Sequence, residues 1–404
     1  MKKWVSIFIV VLLLFVIVIP SFAQRRKITI WCTDKEVAGI EPLRKKFKKD
    51  KKIDVEIEIQ AELRSRYIST AKRGGGPDIL VGAHDWVGEL VKNGLISEIN
   101  LTQEQIKRYY PLAVKGFTYN GKIYGVPYDF EAVVIYYNKK LIKDVPETWE
   151  GLIKVAKNMT KPGEYGFLYS INGNFYTNFP FFGSQGAYIF KEVDNGRYNI
   201  QDVGLDNDGG ITAGTFIYNN FIKEAVVPYS TGGAIVETYF KDGKVAMVMD
   251  GCWNYRSYLT EIGKDNLGIA KLPTLNGKAS TPFIGARGFM INNASKSIDF
   301  SKNFVLNYIG EKDGQIAMFE SGGRPPAHIK AVEEVSIKDP NVQIMINSAN
   351  DGILMPNVEA MAVVWNYSGG MIDKFCSGET TVTNSLKTVC NTIRSEISRN
   401  ADRY

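Results

Sequence analysis

Apolar and polar residues along the first part of the chain alternate between the period of a strand and that of a helix. Residues 27–33 are predicted as a strand, 36–49 as a helix with a lysine-rich outer face, and 54–60 as a strand of alternating side chains. A helix through Tyr67 and the apolar strand 78–83 follow. Strand–helix–strand order at this spacing predicts an α/β fold with a parallel sheet covered by helices.

Turn and cap signals extend this pattern to about residue 275. Asn120-Gly121 predicts a hairpin, an apolar strand follows over 131–138, and Thr148 is placed to cap the N-terminus of a helix. A chain of 404 residues suggests two or three domains. Because no repeat or low-complexity linker divides the sequence, we expect two domains that exchange segments.

The first 23 residues are typical of a secretion signal. A short positive start precedes the apolar run 4–19, and Ala23 offers a small residue for cleavage before Gln24. The alternative is a membrane anchor, which needs about 20 apolar residues and so exceeds this run. The nearest cysteine, Cys32, lies in a predicted strand, which argues against a lipid anchor. We therefore expect a periplasmic or other extracytoplasmic protein with a cleaved signal peptide.

Composition and charge argue against several classes of function. The chain is 45% hydrophobic and 23% charged, within the ordinary globular range. Its net charge of +6, from 49 basic and 43 acidic residues, shows no clustered basic face that would predict nucleic-acid binding. Only His84 and His328 are available for chemistry that uses histidine. We expect neither a metal nor a cofactor.

The four cysteines do not predict a disulfide framework. Cys32 and Cys252 lie in apolar surroundings and are interpreted as small buried residues. Cys376 ends one helix, and Cys390 lies about ten residues into the next, so about 15 Å from the turn at ~1.5 Å per residue. The thiols of an antiparallel hairpin would not meet at that offset.

Charged side chains follow the predicted strands at the edge where α/β proteins bind ligands. Asp34 and Lys35 follow the first strand, Asp85 follows the third, and Glu131 opens the strand after the hairpin. Two alternatives stay open: Asp85 as a simple helix cap, and Lys35 as a solvated surface lysine. Glu131 adjoins a buried strand, so its carboxylate needs a partner.

Three aromatic residues stand in loop-like contexts beside glycine, asparagine or proline. They are Tyr176, Trp253 and Trp365. An aromatic residue in such a context is, taken singly, more often a core residue than a ligand contact. Combined with the carboxylates they suit a sugar, because carboxylates accept hydroxyl donors and rings cover the apolar faces of a pyranose.

Motifs in order along nearly the whole chain resemble the maltose/maltodextrin-binding proteins of ABC transporters, a branch of the extracellular solute-binding protein family 1. The segments that carry the resemblance are 30–35, 76–79, 83–85, 119–122, 131–139, 202–204, 251–253, 282–285 and 355–357. The resemblance implies two Rossmann-like lobes joined by crossing hinge segments, the type II periplasmic-binding-protein fold. It assigns residues 24–130 and 286–335 to the N-terminal lobe, and 131–285 and 336–404 to the C-terminal lobe.

The same resemblance implies the ligand, the partner and the site. The protein would bind maltose or maltotriose-type oligosaccharides, deliver them to a membrane ABC permease, and act as a monomer without catalysis. The implied ligand-binding residues are Asp34, Lys35, Ala83, Asp85, Trp86, Glu131, Tyr176, Trp253, Met355 and Trp365.

The sequence departs from the family pattern around the outer part of the site. Gly82 and Trp86 stand where a tryptophan and an arginine are expected, so Trp86 would supply a displaced stacking ring unless it packs on Leu90. Asn174 replaces a glutamate. Gly233 and Gly369 also replace larger residues.

Two other functions remain open at this point. The first is a receptor for another sugar, such as trehalose or a different oligosaccharide. The second is a secreted glycoside hydrolase that uses Asp85 and Glu131, which would need those carboxylates at a set distance across the bond. Incubation with maltotriose followed by a glucose assay separates binding from hydrolysis.

Overall fold

The structure, a computed structural model, describes residues 27–194 and 197–400. The predicted signal segment 1–23 lies outside the described residues. Among those described, we find no helix that combines the length and the apolar character needed to cross a membrane.

Sixteen strands are present in the described ranges. In chain order they are β1 (Lys27–Cys32), β2 (Asp54–Ile59), β3 (Ile79–Ala83), β4 (Ile96–Ser97), β5 (Thr118–Tyr119), β6 (Lys122–Ile123), β7 (Val126–Pro127), β8 (Val133–Asn138), β9 (Tyr165–Tyr169), β10 (Lys191–Asp194), β11 (Arg197–Asn199), β12 (Val245–Gly251), β13 (Leu267–Ala270), β14 (Phe283–Ile284), β15 (Arg287–Asn292) and β16 (Ile353–Leu354).

Sixteen α-helices accompany these strands in the same described ranges. They are α1 (Asp34–Lys51), α2 (Leu63–Ala71), α3 (Val87–Lys92), α4 (Gln103–Ile106), α5 (Pro111–Gly116), α6 (Trp149–Met159), α7 (Phe175–Ser184), α8 (Asp208–Ile217), α9 (Gly233–Lys241), α10 (Tyr255–Ile262), α11 (Ile298–Phe304), α12 (Lys312–Gly322), α13 (Ile329–Lys338), α14 (Asn341–Asn350), α15 (Met361–Cys376) and α16 (Val382–Arg399). Short turns of 3₁₀ helix, His84–Trp86 and Cys252–Asn254, lead into α3 and α10.

Two sheets, each with its own hydrophobic core, define two lobes. The first sheet has the order β2-β1-β3-β15-β4, with parallel pairing of β1 to β2 and β3 and antiparallel pairing of β15 to β3. The second sheet has the order β13-β8-β12-β9, in which β8 is antiparallel to both neighbours. The predicted α/β class with two Rossmann-like lobes is confirmed.

The chain passes between the two cores at several points. Tyr128 belongs to the first core and Phe130 to the second, Phe283 to the second and Ala286 to the first. Glu131 and Gly285 exchange two backbone hydrogen bonds of 2.8 Å, which ties these two crossings together.

A third crossing involves the segment before α13. Ala327 lies in the first core, whereas Ala331, Val332 and Val335 of α13 lie in the second. The chain therefore passes from the first core to the second around this segment. The lobe boundaries themselves stay predictions.

Local predictions agree with the structure, with small shifts that have physical causes. Helix α1 begins two residues earlier than predicted because Thr33 and Glu36 form a capping box at its start. The hairpin turn is confirmed, with φ of 49° at Asn120 and 76° at Gly121. The Thr148 hydroxyl accepts the Gly151 N–H at 3.1 Å, which confirms the predicted cap.

Strand β8 starts at Val133 rather than at residue 131, because Glu131 is already paired with Gly285 in the crossing. All four cysteines are buried free thiols. Burial raises the pKa of Cys376 and of Cys390 to about 12, which keeps them protonated and unreactive at neutral pH.

Candidate functional site

A cavity of about 520 Å³ lies between the two lobes and collects four of the predicted site residues. Asp85 and Trp86 reach it from the turn after β3, Tyr176 from the start of α7, and Trp365 from α15. The rest of its lining is largely polar, with Ser170, Asn172, Asn174 and Ser368. Such a mixture of rings and polar groups suits a ligand that has both apolar faces and hydroxyls.

A hydrogen bond crosses this cavity from one lobe to the other. The indole Nε1 of Trp365 donates to Asp85 Oδ2 at 2.9 Å. Asp85 is thus more than a helix cap, the simpler alternative that the sequence left open. The preceding residue, His84, is fully buried, and its Nε2 lies 2.9 Å from the carbonyl oxygen of Met355. This second contact between distant segments fixes the turn that presents Asp85.

Tyr176 and Trp253 form an aromatic pair at the inner wall of the second lobe. Their ring centroids lie 5.7 Å apart in an edge-to-face arrangement. The Tyr176 hydroxyl donates to the carbonyl oxygen of Phe283 at 3.3 Å, and its burial raises the pKa of Tyr176 well above the ordinary value. Trp253 is half-buried and lies on Gly251, where a Cβ would come within 2.2 Å of the indole.

The indole of Trp86 lies flat on the end of the first sheet. A Cβ on Gly82 would be only 2.5 Å from Cε3 and Cζ3 of Trp86, so the glycine is what allows the ring to lie there. The guanidinium of Arg64 is 5.9 Å from the ring centroid. The absence of a side chain at position 82 of β3 therefore gives the Trp86 ring its place.

A second cavity of about 530 Å³ adjoins the first. Arg64, Trp86 and Trp365 line both cavities, so they form the boundary between them. The second cavity is otherwise lined by residues at the start of α1 and α2 and on α15, and by the charged side chains Glu89 and Arg287. The cleft is therefore elongated, with the shared side chains at its middle.

Five other predicted residues have different positions. Asp34 and Lys35 are exposed on the first turn of α1, directly after Thr33 of the second cavity. Ala83 is half-buried at the end of β3, in register with Arg287.

Glu131 and Met355 are not brought to the two cavities by the structure, as far as the described residues define the lining. Met355 is 5% exposed and contributes to a different cavity beside the Tyr119 hairpin. Glu131 instead pairs with Arg324 through the Nε of the guanidinium. The sequence indicated that the Glu131 carboxylate needs a partner. That partner is Arg324, in an ion pair at the crossings between the lobes.

That ion pair is part of a buried set of charges at the crossings. Arg324 Nε lies 3.5 Å from Asp129 Oδ2, and the backbone N–H of Arg287 donates to Asp129 Oδ1 at 2.8 Å. The Arg287 side chain in turn pairs with Glu36 at 2.8 Å. Three carboxylates thus face two guanidinium groups, which leaves one negative charge in excess.

Within this set, the pKa values of two carboxyl groups are shifted in opposite directions. Burial and the nearby Glu131 raise the pKa of Asp129 well above its ordinary value. Burial also disfavours ionised Glu36, but Arg287, Arg324 and the hydrogen bonds from Thr33 outweigh it and lower the pKa of Glu36. The surroundings therefore favour the ionised form of Glu36 and disfavour the ionised form of Asp129.

Three positions at which the sequence departs from the pattern expected from the resemblance line the first cavity, namely Asn174, Gly233 and Gly369. Asn174 caps α7, with its Oδ1 accepting from the Thr177 N–H at 3.3 Å. Gly233 opens α9. A Cβ on Gly369 would lie 2.5 Å from the carbonyl oxygen of Gly173, so a larger residue there would push two backbones apart.

Sequence reasoning missed Arg64 and Arg324. Arg64 follows the carboxyl end of β2, the same edge that identified Asp34 and Asp85, so the strand-end rule applied to β2 would have found it. Arg324 gave no local signal, because its partner Glu131 is 193 residues away in sequence. In the described part of the chain, no group of three or more His, Cys, Asp or Glu side chains could hold a metal ion.

A two-lobed α/β fold with a ring-lined polar cleft between the lobes defines a ligand-binding protein of the hinged type. Residues 43–344 match the family of bacterial extracellular solute-binding proteins, and the chain belongs to that family.

Several proteins that are similar to this chain are named for the oligosaccharides that they bind. A galactooligosaccharide-binding protein of Bacillus subtilis is 24% identical over 93% of this chain and 91% of that protein. A maltooligosaccharide ABC transporter solute-binding lipoprotein of Streptococcus pneumoniae is 29% identical over 88% and 85%. The maltodextrin-binding protein MdxE of Bacillus subtilis is 26% identical over 94% and 92%. Over most of its length the chain is therefore similar to family members that are named for binding oligosaccharides.

Proposed function

We propose that the protein captures maltose and maltodextrins between its lobes and delivers them to an ABC permease. The observation that carries this proposal is the convergence of Asp85, Trp86, Tyr176 and Trp365 on one cavity from both lobes. A carboxylate and three rings in this arrangement complement the hydroxyls and the apolar faces of glucose units.

The expected affinity is reachable with these groups. Covering about 50 Å² of each ring at ~25 cal/mol/Å² contributes about 1.2 kcal/mol, so three rings contribute about 4 kcal/mol. Hydrogen bonds to charged groups add about 1.5–3 kcal/mol each. After an association cost of several kcal/mol, the roughly −8 kcal/mol of micromolar binding is attainable.

The contacts divide between the two cavities. Asp85, Tyr176 and Trp365 would bind the central sugar units, with Trp253 supporting Tyr176 from the side. Asp34 and Lys35 would reach units in the second cavity, next to Thr33. We assign Glu131 to the crossings, where Arg324 holds it, rather than to the sugar.

Calorimetric titration of the purified protein tests the proposal. The panel comprises maltose, maltotriose, maltotetraose, trehalose and a β-linked galactooligosaccharide of matched length. Micromolar binding of the α-1,4-glucans, with much weaker binding of the other sugars, is the expected result. Binding of none of the glucans would contradict it.

A galactooligosaccharide is the second candidate ligand. It is favoured by the name of the Bacillus subtilis relative, which covers 93% of this chain. It also agrees with the altered positions Gly82, Gly233 and Gly369, which leave the outer part of the cleft without the bulky side chains of the maltose-binding pattern. The same titration distinguishes the two ligands.

Binding without hydrolysis is part of the proposal. Asp85 accepts a hydrogen bond from Trp365, and Glu131 is paired with Arg324, so both carboxylates of the imagined acid–base pair have partners in the protein. After incubation of the protein with maltotriose, a glucose assay should detect no product above the protein-free control.

Export by a cleavable signal peptide and action as a monomer complete the proposal. N-terminal sequencing of the exported protein should begin at Gln24, after the small residue Ala23. A retained N-terminus would instead support a membrane anchor. Light scattering of the exported protein should give the mass of one chain.

A further inference from the structure

Arg64 stands at the middle of the cleft, at a position that neither the strand motifs nor the family resemblance assigned to the ligand. It lines the first cavity and the second, together with Trp86 and Trp365. A ligand that extends from one cavity into the other must pass this side chain. A ligand confined to the first cavity meets it only at the cavity's end.

The guanidinium is held in place by its own lobe. Both Nε and NH2 donate to the Glu89 carboxylate, at 3.2 and 2.9 Å to Oε2. The group also stands over the Trp86 ring, 5.9 Å from its centroid. A guanidinium has five N–H donors, so the donors that do not face Glu89 stay free for the cleft.

We propose that Arg64 binds the ligand at the junction of the two cavities and makes the protein selective for neutral oligosaccharides of three or more units. The inference rests on the proposed function, because it specifies how the same cleft distinguishes longer oligosaccharides from disaccharides. Arg64 would donate hydrogen bonds to hydroxyl or ring oxygens of the unit that crosses the junction.

Charge and shape both support this ligand class. Two guanidinium groups line the cavities, and each has a carboxylate partner: Glu89 pairs with Arg64, and Glu36 pairs with Arg287. Asp85 and Glu62 add further carboxylates to the linings, so an anionic sugar would meet unfavourable charge. Each cavity alone, at about 520 and 530 Å³, is of the size usual for a small-molecule site. Two such cavities side by side exceed what a disaccharide requires.

The test compares sugar length on Arg64→Ala and on a matched control. Arg66 lies on the same helix, stands 5.6 Å from the Trp31 ring, and points away from both linings, so Arg66→Ala removes an equivalent cation–ring pair outside the cleft. Disaccharide and trisaccharide of the series that the wild type binds are titrated by calorimetry into all three proteins.

We expect Arg64→Ala to weaken trisaccharide binding about tenfold or more, the loss of one charge-assisted hydrogen bond, and disaccharide binding less than about threefold. Arg66→Ala should leave both within about twofold. Arg64→Lys keeps a charge for Glu89 but lacks the planar fork, so it should recover only part of the trisaccharide affinity.

Other outcomes overturn the proposal in distinguishable ways. If the wild type binds sugars and Arg64→Ala weakens both lengths equally, or neither, Arg64 does not measure length. If the wild type binds no sugar of the panel, the proposed function itself is wrong. Melting temperatures show whether Arg64→Ala folds; if it does not, Arg64→Lys decides by the same length comparison.

Discussion

The indole nitrogen of Trp365 and the carboxylate of Asp85 are joined by a hydrogen bond of 2.9 Å that spans the cleft between the lobes. Asp85 follows β3 of the first sheet, and Trp365 lies on α15 beside the second core. One of the groups proposed to bind sugar thus already links the two lobes. In the function proposed above, capture of a sugar and approach of the lobes would depend on the same atoms.

The first prediction concerns closure. Because the lobes are connected by a few crossings, a sugar that contacts both lobes should favour the closed arrangement as a hinge motion. Small-angle scattering should show a smaller radius of gyration at saturating maltotriose than without sugar. Asp85→Ala, which loses the link to Trp365, should require more sugar for the same decrease. An unchanged radius in the wild type would refute the hinge account.

The second prediction concerns Trp253. Its ring is half-buried beside Tyr176, so Trp253→Ala should weaken sugar binding by about 1 kcal/mol or more, roughly fivefold. Its stability cost should stay below the roughly 3–5 kcal/mol of a fully buried tryptophan. Calorimetry and urea unfolding measure the two effects.

Trp149 provides the contrasting variant in the same lobe, because it is fully buried and donates to Ser280 at 2.9 Å. Trp149→Phe should lower the unfolding free energy without changing affinity. If Trp253→Ala behaves like Trp149→Phe, Trp253 is a core residue and not part of the site.

Most of the fold could be predicted from the sequence because its signals are local. The alternation over β2, the Asn120-Gly121 turn and the Thr148 cap each depend on neighbouring residues, and each is confirmed. Asp85 and Trp365 were predicted only as separate ligand contacts. Their hydrogen bond, across 280 residues of sequence, follows from how the lobes meet and has no local signal.

Glu131 is a second residue whose partner could not be identified from the sequence. The sequence indicated that this carboxylate needs a partner, and the resemblance assigned it to the sugar. Arg324 lies in the third crossing, and the fold brings it to Glu131 from 193 residues away in sequence. Local sequence patterns therefore could not predict the contact between Arg324 and Glu131.

The third prediction therefore concerns Arg324. The side chain is 9% exposed and faces Glu131 and Asp129, so Arg324→Ala would leave buried carboxylates without their cation. The expected loss is about 3–5 kcal/mol of unfolding free energy, measured by urea titration. Arg108→Ala is the control, because its pair with Glu311 is well exposed and should contribute about 0–1 kcal/mol. Equal losses in the two variants would contradict the importance of the buried set.

The fourth prediction uses the pKa of Asp129. Burial and Glu131 raise it well above its ordinary value, although Arg324 and Arg287 act in the opposite direction. A carboxyl group with a raised pKa in the folded state contributes stability below its unfolded pKa of about 3.9, and this contribution is lost as the pH rises through the folded pKa. The wild type should therefore lose stability relative to Asp129→Asn as the pH increases.

Unfolding free energies of both proteins at about pH 4 and at about pH 8 measure this difference. The Asn side chain can still accept the backbone N–H of Arg287 through its Oδ1, as Asp129 does. A constant difference between the two proteins over this pH range would show that Asp129 is ionised throughout.

The contact between Gly82 and Trp86 leads to the last prediction. A Cβ on Gly82 would lie 2.5 Å from Cε3 and Cζ3 of Trp86 and 2.9 Å from the Met290 methyl, so Gly82→Ala must displace the ring. The matched control is Gly370→Ala, because a Cβ on Gly370 would meet nothing within 4 Å.

If Trp86 contacts a sugar unit beyond the central pair, Gly82→Ala and Trp86→Ala should each weaken maltotriose binding more than maltose binding, whereas Gly370→Ala should affect neither. The effect of Gly82→Ala acts through the displaced ring, so the double variant should bind like Trp86→Ala alone. Calorimetry with both sugars on the four variants gives this cycle. Equal losses for maltose and maltotriose would show that Trp86 does not contact the outer unit. If the losses of binding free energy are additive in the double variant, the methyl group added at position 82 weakens binding by a route that does not involve the Trp86 ring.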